Sequence, residues 1–273
     1  MWIDTHCHLD AHEFGGESLA VAQKAGQGGV EMIVIPAVDR YNFDVVAQLA
    51  AKAPNASYAL GIHPMCVPNA TEEDLAALRA KVEAAMSEPR FVAIGEVGLD
   101  FFIPALTQPA MREKQDHFFR EQLRIARDFG LPVLMHVRRS QDQVLKHVRQ
   151  IRPAGGIAHA FNGSFQQAHT FIDLGFKLGF GGAMTFSRAL QIRRLATTLP
   201  LDAIVLETDA PDISPVWIHP ARNSPEQLPA IGAALADMRG TTAQEIAIAT
   251  CQNALAALPR LAPLISRGPV ATP

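Results

Sequence analysis

Eight short, β-rich apolar runs recur along this chain, each followed by a longer stretch with helical spacing, and that alternation limits the folds open to it. The runs cover residues 2–8, 31–38, 57–63, 91–98, 132–137, 156–161, 177–182 and 203–207. Helix signals lie between them. Thr71-Glu72-Glu73-Asp74 opens a run to Met86, Gln108-Pro109 opens one to Asp128, Ser164 precedes another, and Gly130, Gly175 and Gly240 sit where helix C-caps belong. Parallel strands need a crossover of helical size, so strict alternation predicts a parallel sheet. Eight units in about 250 residues predict an α/β fold of the (β/α)8 TIM-barrel type. The competitor is an open doubly wound sheet, which usually carries a Gly-rich phosphate turn after its first strand; no GxGxxG follows strand one here. No linker or low-complexity tract divides the chain. Residues 1–262 therefore read as one domain, with a long loop at 211–229 and a frayed tail at 263–273.

A chain of 273 residues with 48% hydrophobic and 19% charged side chains buries a sizeable core, which excludes disorder as its main state. No apolar run approaches the ~18 residues of a bilayer span, so no membrane segment is expected. The opening Met1-Trp2-Ile3-Asp4-Thr5-His6 lacks the features of a secretory signal, and the expectation is a cytoplasmic protein with no obligate protein partner evident. Cys7, Cys66 and Cys251 lack CxxC spacing and read as small packing residues. The net charge of −3 gives no global footprint for nucleic acid, although a local basic rim would not register in that sum.

Barrel strands are apolar near their middles, so ionisable residues at their C-terminal ends carry the information. His6 and His8 close the first run as His-x-His, and strand alternation turns both to one face, with Cys7 on the other. His63 ends the third run, Glu96 lies near the end of the fourth, His136 of the fifth and His159 of the sixth, and Asp209 follows the eighth. Strand C-termini of a barrel converge on one rim. His6, His8, Glu96, His136, His159 and Asp209 are more nitrogen and oxygen ligands than one cation normally takes from protein, so two divalent cations sharing a bridging carboxylate are expected. Imidazole-rich ligation suits zinc or manganese, and phosphoryl chemistry often uses magnesium. By contrast, His12, His117, His147 and His169 lack partner spacing and read as structural or solvated. Asp100 reads either as a support for a ligand or as a loop cap.

The strings Ile3-Asp4-Thr5-His6-Cys7-His8-Leu9-Asp10, Gly61-Ile62-His63-Pro64, Ile94-Gly95-Glu96-Val97-Gly98-Leu99-Asp100-Phe101, His136-Val137-Arg138, His159-Ala160-Phe161-Asn162-Gly163-Ser164 and Leu206-Glu207-Thr208-Asp209-Ala210-Pro211 together resemble the TatD family of metal-dependent hydrolases. The resemblance implies a barrel with a two-metal centre and deoxyribonuclease activity. Carried over by motif, His6, His8, Glu96 and Asp209 would hold the first cation, and Glu96, His136 and His159 the second. Glu96 stands where other amidohydrolases use a carboxylated lysine. Asn223 and Asn253 match later family motifs. Two segments depart from the pattern: Phe101-Phe102-Ile103-Pro104-Ala105, near the pocket, and Leu255-Ala256-Ala257-Leu258, which concerns packing.

The chemistry expected of such a centre is attack by a metal-activated water on a phosphodiester, with DNA strand ends as substrate and cleavage as a 3′-end exonuclease. Asp209 is the candidate base, beside Glu96 and His63 in the catalytic set. His63, Arg138 and Arg222 are expected to meet the phosphate, as is Arg188 in the loop after the seventh strand. Arg139, Arg193 and Arg194 read as a solvated face. The alternative aims the same centre at an ester or amide such as a D-aminoacyl-tRNA ester. A metal-binding scaffold without turnover is disfavoured, because every ligand position is intact.

Overall fold

The computed structural model describes residues 1–265. Eight parallel strands run in chain order: β1 (Trp2–Asp4), β2 (Val30–Pro36), β3 (Ala56–Leu60), β4 (Phe91–Asp100), β5 (Val133–Arg138), β6 (Gly156–Ala158), β7 (Phe176–Phe180) and β8 (Ile204–Leu206). The intervening helices are α1 (Ser18–Gln27), α2 (Phe43–Lys52), α3 (Glu72–Ala85), α4 (Pro109–Asp128), α5 (Gln141–Ile151), α6 (Phe165–Asp173) and α7 (Leu190–Thr198). They are followed by α8 (Leu228–Arg239), α9 (Ala243–Ala257) and α10 (Ala262–Ile265). This is the expected (β/α)8 barrel. It closes through backbone: Thr5 donates its N–H to Leu206 O (3.1 Å), Asp209 to His6 O (2.8 Å) and His8 to Ala210 O (2.8 Å).

Local chemistry explains the helix boundaries. Asp74 Oδ2 accepts the Thr71 N–H at 2.8 Å ahead of α3, Pro109 occupies the first turn of α4, and Ser164 and Gln167 cap α6 reciprocally. Gly240 ends α8 at φ +67°, a conformation that penalises any Cβ. Along the strands alternate residues divide into two cores. Phe91, Met135, Leu178 and Leu206 pack outward among the helices, with Phe118, Phe119 and Leu123 of α4 in the same cluster. Ile3, Met32, Val34, Leu134, Ile157 and Val205 form the second cluster with Ala254, Leu258 and Leu261. The chain from α9 to Leu261 thus plugs the N-terminal mouth. Full burial of each large side chain contributes about 1.5–3 kcal/mol.

Three boundaries differ from the sequence reading. β1, β3 and β8 stop two or three residues before His6, His63 and Asp209, and β6 stops at Ala158, just before His159; beyond the strands the rim backbone still bonds across to its neighbours, His63 N–H to Val38 O (2.8 Å) and Phe161 N–H to Gly179 O of β7 (3.0 Å). β4 runs two residues further than expected, to Asp100, held by the pairing of Gly98 with His136 and Asp100 with Arg138. The loop after β8 ends earlier, at a 3-10 turn over Pro225–Gln227. Residues 263–265 continue α10, and the rest of the segment expected to fray lies outside the described residues. Among the described residues no helix is long and apolar enough to cross a membrane.

Candidate metal centre

The C-terminal rim gathers all six expected ligands. His6 and His8 arrive on the extended segment after β1, Glu96 and His136 lie within β4 and β5, and His159 and Asp209 follow β6 and β8. Close strand approach makes this possible: a Cβ at Gly98 would fall 1.9 Å from His136 O, so only glycine lets β4 bring Glu96 this near β5.

Glu96 is buried at the middle, and its two oxygens face different partners. Oε2 lies 3.2 Å from His6 Nε2 and 3.3 Å from His8 Nε2. The same nitrogens approach Asp209 Oδ1 at 3.6 and 3.8 Å. Oε1 lies 2.7 Å from His159 Nε2, 3.0 Å from His136 Nδ1 and 3.3 Å from His63 Nε2. Two donor clusters therefore flank one carboxylate.

This donor set fits divalent cations. His6 Nε2 and His8 Nε2 stand 3.3 Å apart, and His159 Nε2 and His136 Nδ1 3.5 Å apart, so lone pairs face lone pairs unless a proton or cation lies between. His6 Nδ1 and His159 Nδ1 are buried without a hydrogen-bond partner. Charge balance points the same way. Burial alone pushes the imidazoles down, and His6 falls to about 3, but the Glu96 carboxylate outweighs burial at His8 and His159 and lifts them to about 9 and about 10. Glu96 itself, despite burial, is held well below the carboxylate range by the charges of His63, His159 and His6. The pocket attracts positive charge wherever it can be held.

His63 turns a ring N–H, and not a lone pair, toward Glu96. Its Nδ1 accepts the Met65 N–H at 3.1 Å, so the neutral ring carries its proton on Nε2 and offers a donor there rather than a lone pair. His136 is poised the other way, with Nε2 on Asp100 Oδ2 at 3.1 Å and Nδ1 turned to Glu96. Asp100 caps the loop, since Oδ1 also accepts the N–H groups of Phe102 (2.8 Å) and Ile103 (3.1 Å), and its other oxygen reaches His136. Burial raises the Asp100 carboxyl, but the His136 bond and these two N–H donors prevail and bring it to about 2.

Sequence reasoning missed two buried carboxylates. Glu207 bonds the Ala160 N–H and lies 3.8 Å from His159 Nδ1, with burial pushing it up to about 8. Asp4 accepts the Thr208 N–H (2.9 Å) and hydroxyl (2.6 Å) and the His6 N–H (3.3 Å), tying the two segments that carry His6 and Asp209. Glu207 and Asp4 stood inside quoted motifs, and an acidic residue two positions from each ligand was the available signal. Asn223 is buried and donates to Thr208 O and Asp212 O at 2.8 Å, which fixes the loop beneath Asp209. Asn253 instead secures Leu201 and Ile204 at the start of β8.

The arginines occupy two sides of the rim. Arg138 Nη1 lies 3.8 Å from Asp100 Oδ2. Arg188 and Arg222 line an open groove of about 540 Å³ with Pro211, Asp212 and His219, and Arg222 donates to Glu13 O at 2.8 Å. The remaining histidines stay outside the centre: His12 and His117 pair with Glu13 and Glu72, His147 pairs with Asp116 inside the α4–α5 contact, and His169 is exposed.

Comparison with known proteins places this geometry. The sequence profile of the family described as TatD related DNase matches residues 3–259. The Escherichia coli K12 protein named uncharacterized metal-dependent hydrolase YjjV is 38% identical over 253 residues, spanning 92% of this chain and 95% of that one. The crystal structure of YjjV, described as a TatD homolog, superposes with a TM-score of 0.88 at 37% identity, covering 94% of this chain and 98% of that one. A TatD-family hydrolase from Entamoeba histolytica shares the fold at a TM-score of 0.81 and 19% identity, covering 94% and 97%.

Proposed function

This chain belongs to the TatD-related DNase family of metal-dependent hydrolases, and from that premise we propose that it is a two-metal phosphodiesterase trimming DNA from its 3′ end. The observation that carries the reading is the divided orientation of Glu96, one oxygen facing the His6–His8–Asp209 side and the other the His136–His159 side. By that geometry His6, His8, Glu96 and Asp209 would hold one cation, and Glu96, His136 and His159 the other. When bound, such cations polarise a phosphoryl oxygen and lower the pKa of water from ~15.7 toward neutrality.

The chain supplies the remaining functions. Asp209 turns Oδ1 to His6 and His8, which leaves Oδ2 to orient the attacking water and take its proton; burial pushes this carboxyl up, toward a more effective base. His63 turns its Nε2–H toward Glu96 Oε1 (3.3 Å) and His136 Nδ1 (3.1 Å), where it would donate to a non-bridging phosphoryl oxygen as charge develops. Arg138 on one side, with Arg188 and Arg222 on the other, offers guanidinium forks to the strand. A pocket sunk in a barrel rim admits a strand end more readily than an intact duplex.

The test is a mass-spectrometric product assay on short single-stranded DNA, using metal-stripped protein with magnesium, manganese or zinc restored and Asp209→Asn as control. Mononucleotides released only with added metal and only by the unmutated protein are expected. DNA that survives every cation while metal binds would overturn the reading and move the same centre to aminoacyl-ester or amide substrates.

A further inference from the structure

Phe102 lies at the rim with 44% of its surface exposed, in the segment that departs from the family pattern. Two guanidiniums stack on it: Arg138 Cζ is 3.9 Å and Arg139 Cζ 4.7 Å from the ring centroid. The attraction of each cation to a π face offsets part of their mutual repulsion. Arg139 holds a left-handed backbone, φ +56°, which disfavours a non-glycine residue and turns it toward the ring. Among the described residues Arg139 has no ion-pair partner, and Arg138 has one long ion pair, to Asp100 at 3.8 Å, a carboxylate it shares with His136, Phe102 and Ile103. The same bond from Phe102 N–H to Asp100 Oδ1 ties the ring to the support of His136, one contact from Glu96. Two pre-oriented forks beside the candidate metal centre, one of them without an ion pair, match an anion with several oxygens.

We propose that Phe102, Arg138 and Arg139 form a clamp for the phosphate next to the scissile one, with Phe102 as the positioning residue that holds both guanidiniums. The assignment rests on the phosphodiester reading above. It makes this side of the rim the place where strand, as distinct from a lone phosphodiester, is gripped.

The experiment is fluorescence anisotropy of the full-length, metal-loaded protein with a labelled thymidine hexamer. The terminal linkages of the probe are neutral methylphosphonates that resist cleavage, and an all-methylphosphonate hexamer serves as the neutral probe. Arg139→Ala is expected to weaken binding of the charged strand about tenfold and to shrink the slope of log K against log salt by ~0.7, the value for one phosphate contact on a single strand. Phe102→Ala is expected to weaken it about threefold, Phe102→Trp to restore it, and the Phe102→Ala/Arg139→Ala pair to lose less than the product of the two. The neutral probe is expected to bind all variants alike. Binding and salt slope equal to wild type in both Phe102→Ala and Arg139→Ala would overturn the clamp, as would equal losses on the neutral probe. Wild-type protein that grips the charged strand through these residues but cleaves no phosphodiester would instead overturn only the activity reading.

Discussion

Asp100 Oδ2 lies 3.1 Å from His136 Nε2, while the other nitrogen of that ring faces Glu96. The carboxylate thereby fixes both the tautomer and the angle of the proposed ligand His136. Asp100→Asn is expected to lower metal affinity by about 10–100-fold with the fold retained. Isothermal titration with zinc or manganese, beside far-UV circular dichroism, reads both quantities; unchanged affinity would deny Asp100 this role.

Glu96→Gln removes charge from the one side chain common to both donor clusters. Elemental analysis of the purified variant is expected to show metal content falling by at least one equivalent, with activity lost in parallel. A variant keeping its full complement would dismiss the bridging role.

Asp209→Asn keeps the shape of the side chain and removes its basicity. The rate is expected to fall by about 10²-fold or more with little change in melting temperature. Turnover near wild type with metals bound would move the base elsewhere.

Chelation should destabilise as well as inactivate, because folded barrel alone assembles these ligands. Cation at 100 times its dissociation constant stabilises by about 2.7 kcal/mol, or about 5–10 °C in Tm for a domain of this size. Differential scanning fluorimetry with and without EDTA checks the shift.

Away from the centre, burial raises the Asp116 carboxyl, but hydrogen bonds from His147 and Gln143 prevail and hold it below its ordinary 3.8. A lowered folded-state value means stability present above pH 3.8 and lost as pH falls through the folded-state value. The Tm gap between wild type and Asp116→Asn is therefore expected to be open at pH 6 and to narrow below pH 4. A gap that widens with acid would reverse the sign.

Recurring strands made the barrel legible, since each apolar run is short, local and followed by its crossover helix. The meeting of His6, His8, Glu96, His136, His159 and Asp209 at one rim was legible because strand ends converge in any barrel. Glu207 and Asp4 were not: the backbone N–H that Glu207 meets lies 47 positions away, and the Thr208 hydroxyl bonded to Asp4 lies 204 away, so no local spacing encodes either contact. The tautomer of His63 was equally hidden, because it depends on a turn that places the Met65 N–H over Nδ1. Arg139, expected on a solvated face, is exposed but aligned by Phe102, a relation between loops that composition does not carry.

The seam between β1 and β8 joins residues 201 positions apart, Thr5 to Leu206, and the same seam carries His6 and Asp209. A ribosome adding ~5–20 residues per second leaves the first two histidines waiting about 10–40 s for their partners to be made. Throughout that interval the emerging chain has only part of the candidate donor set. Closure of that seam, and with it the meeting of His6 and His8 with Asp209, therefore waits for the last strand of the barrel.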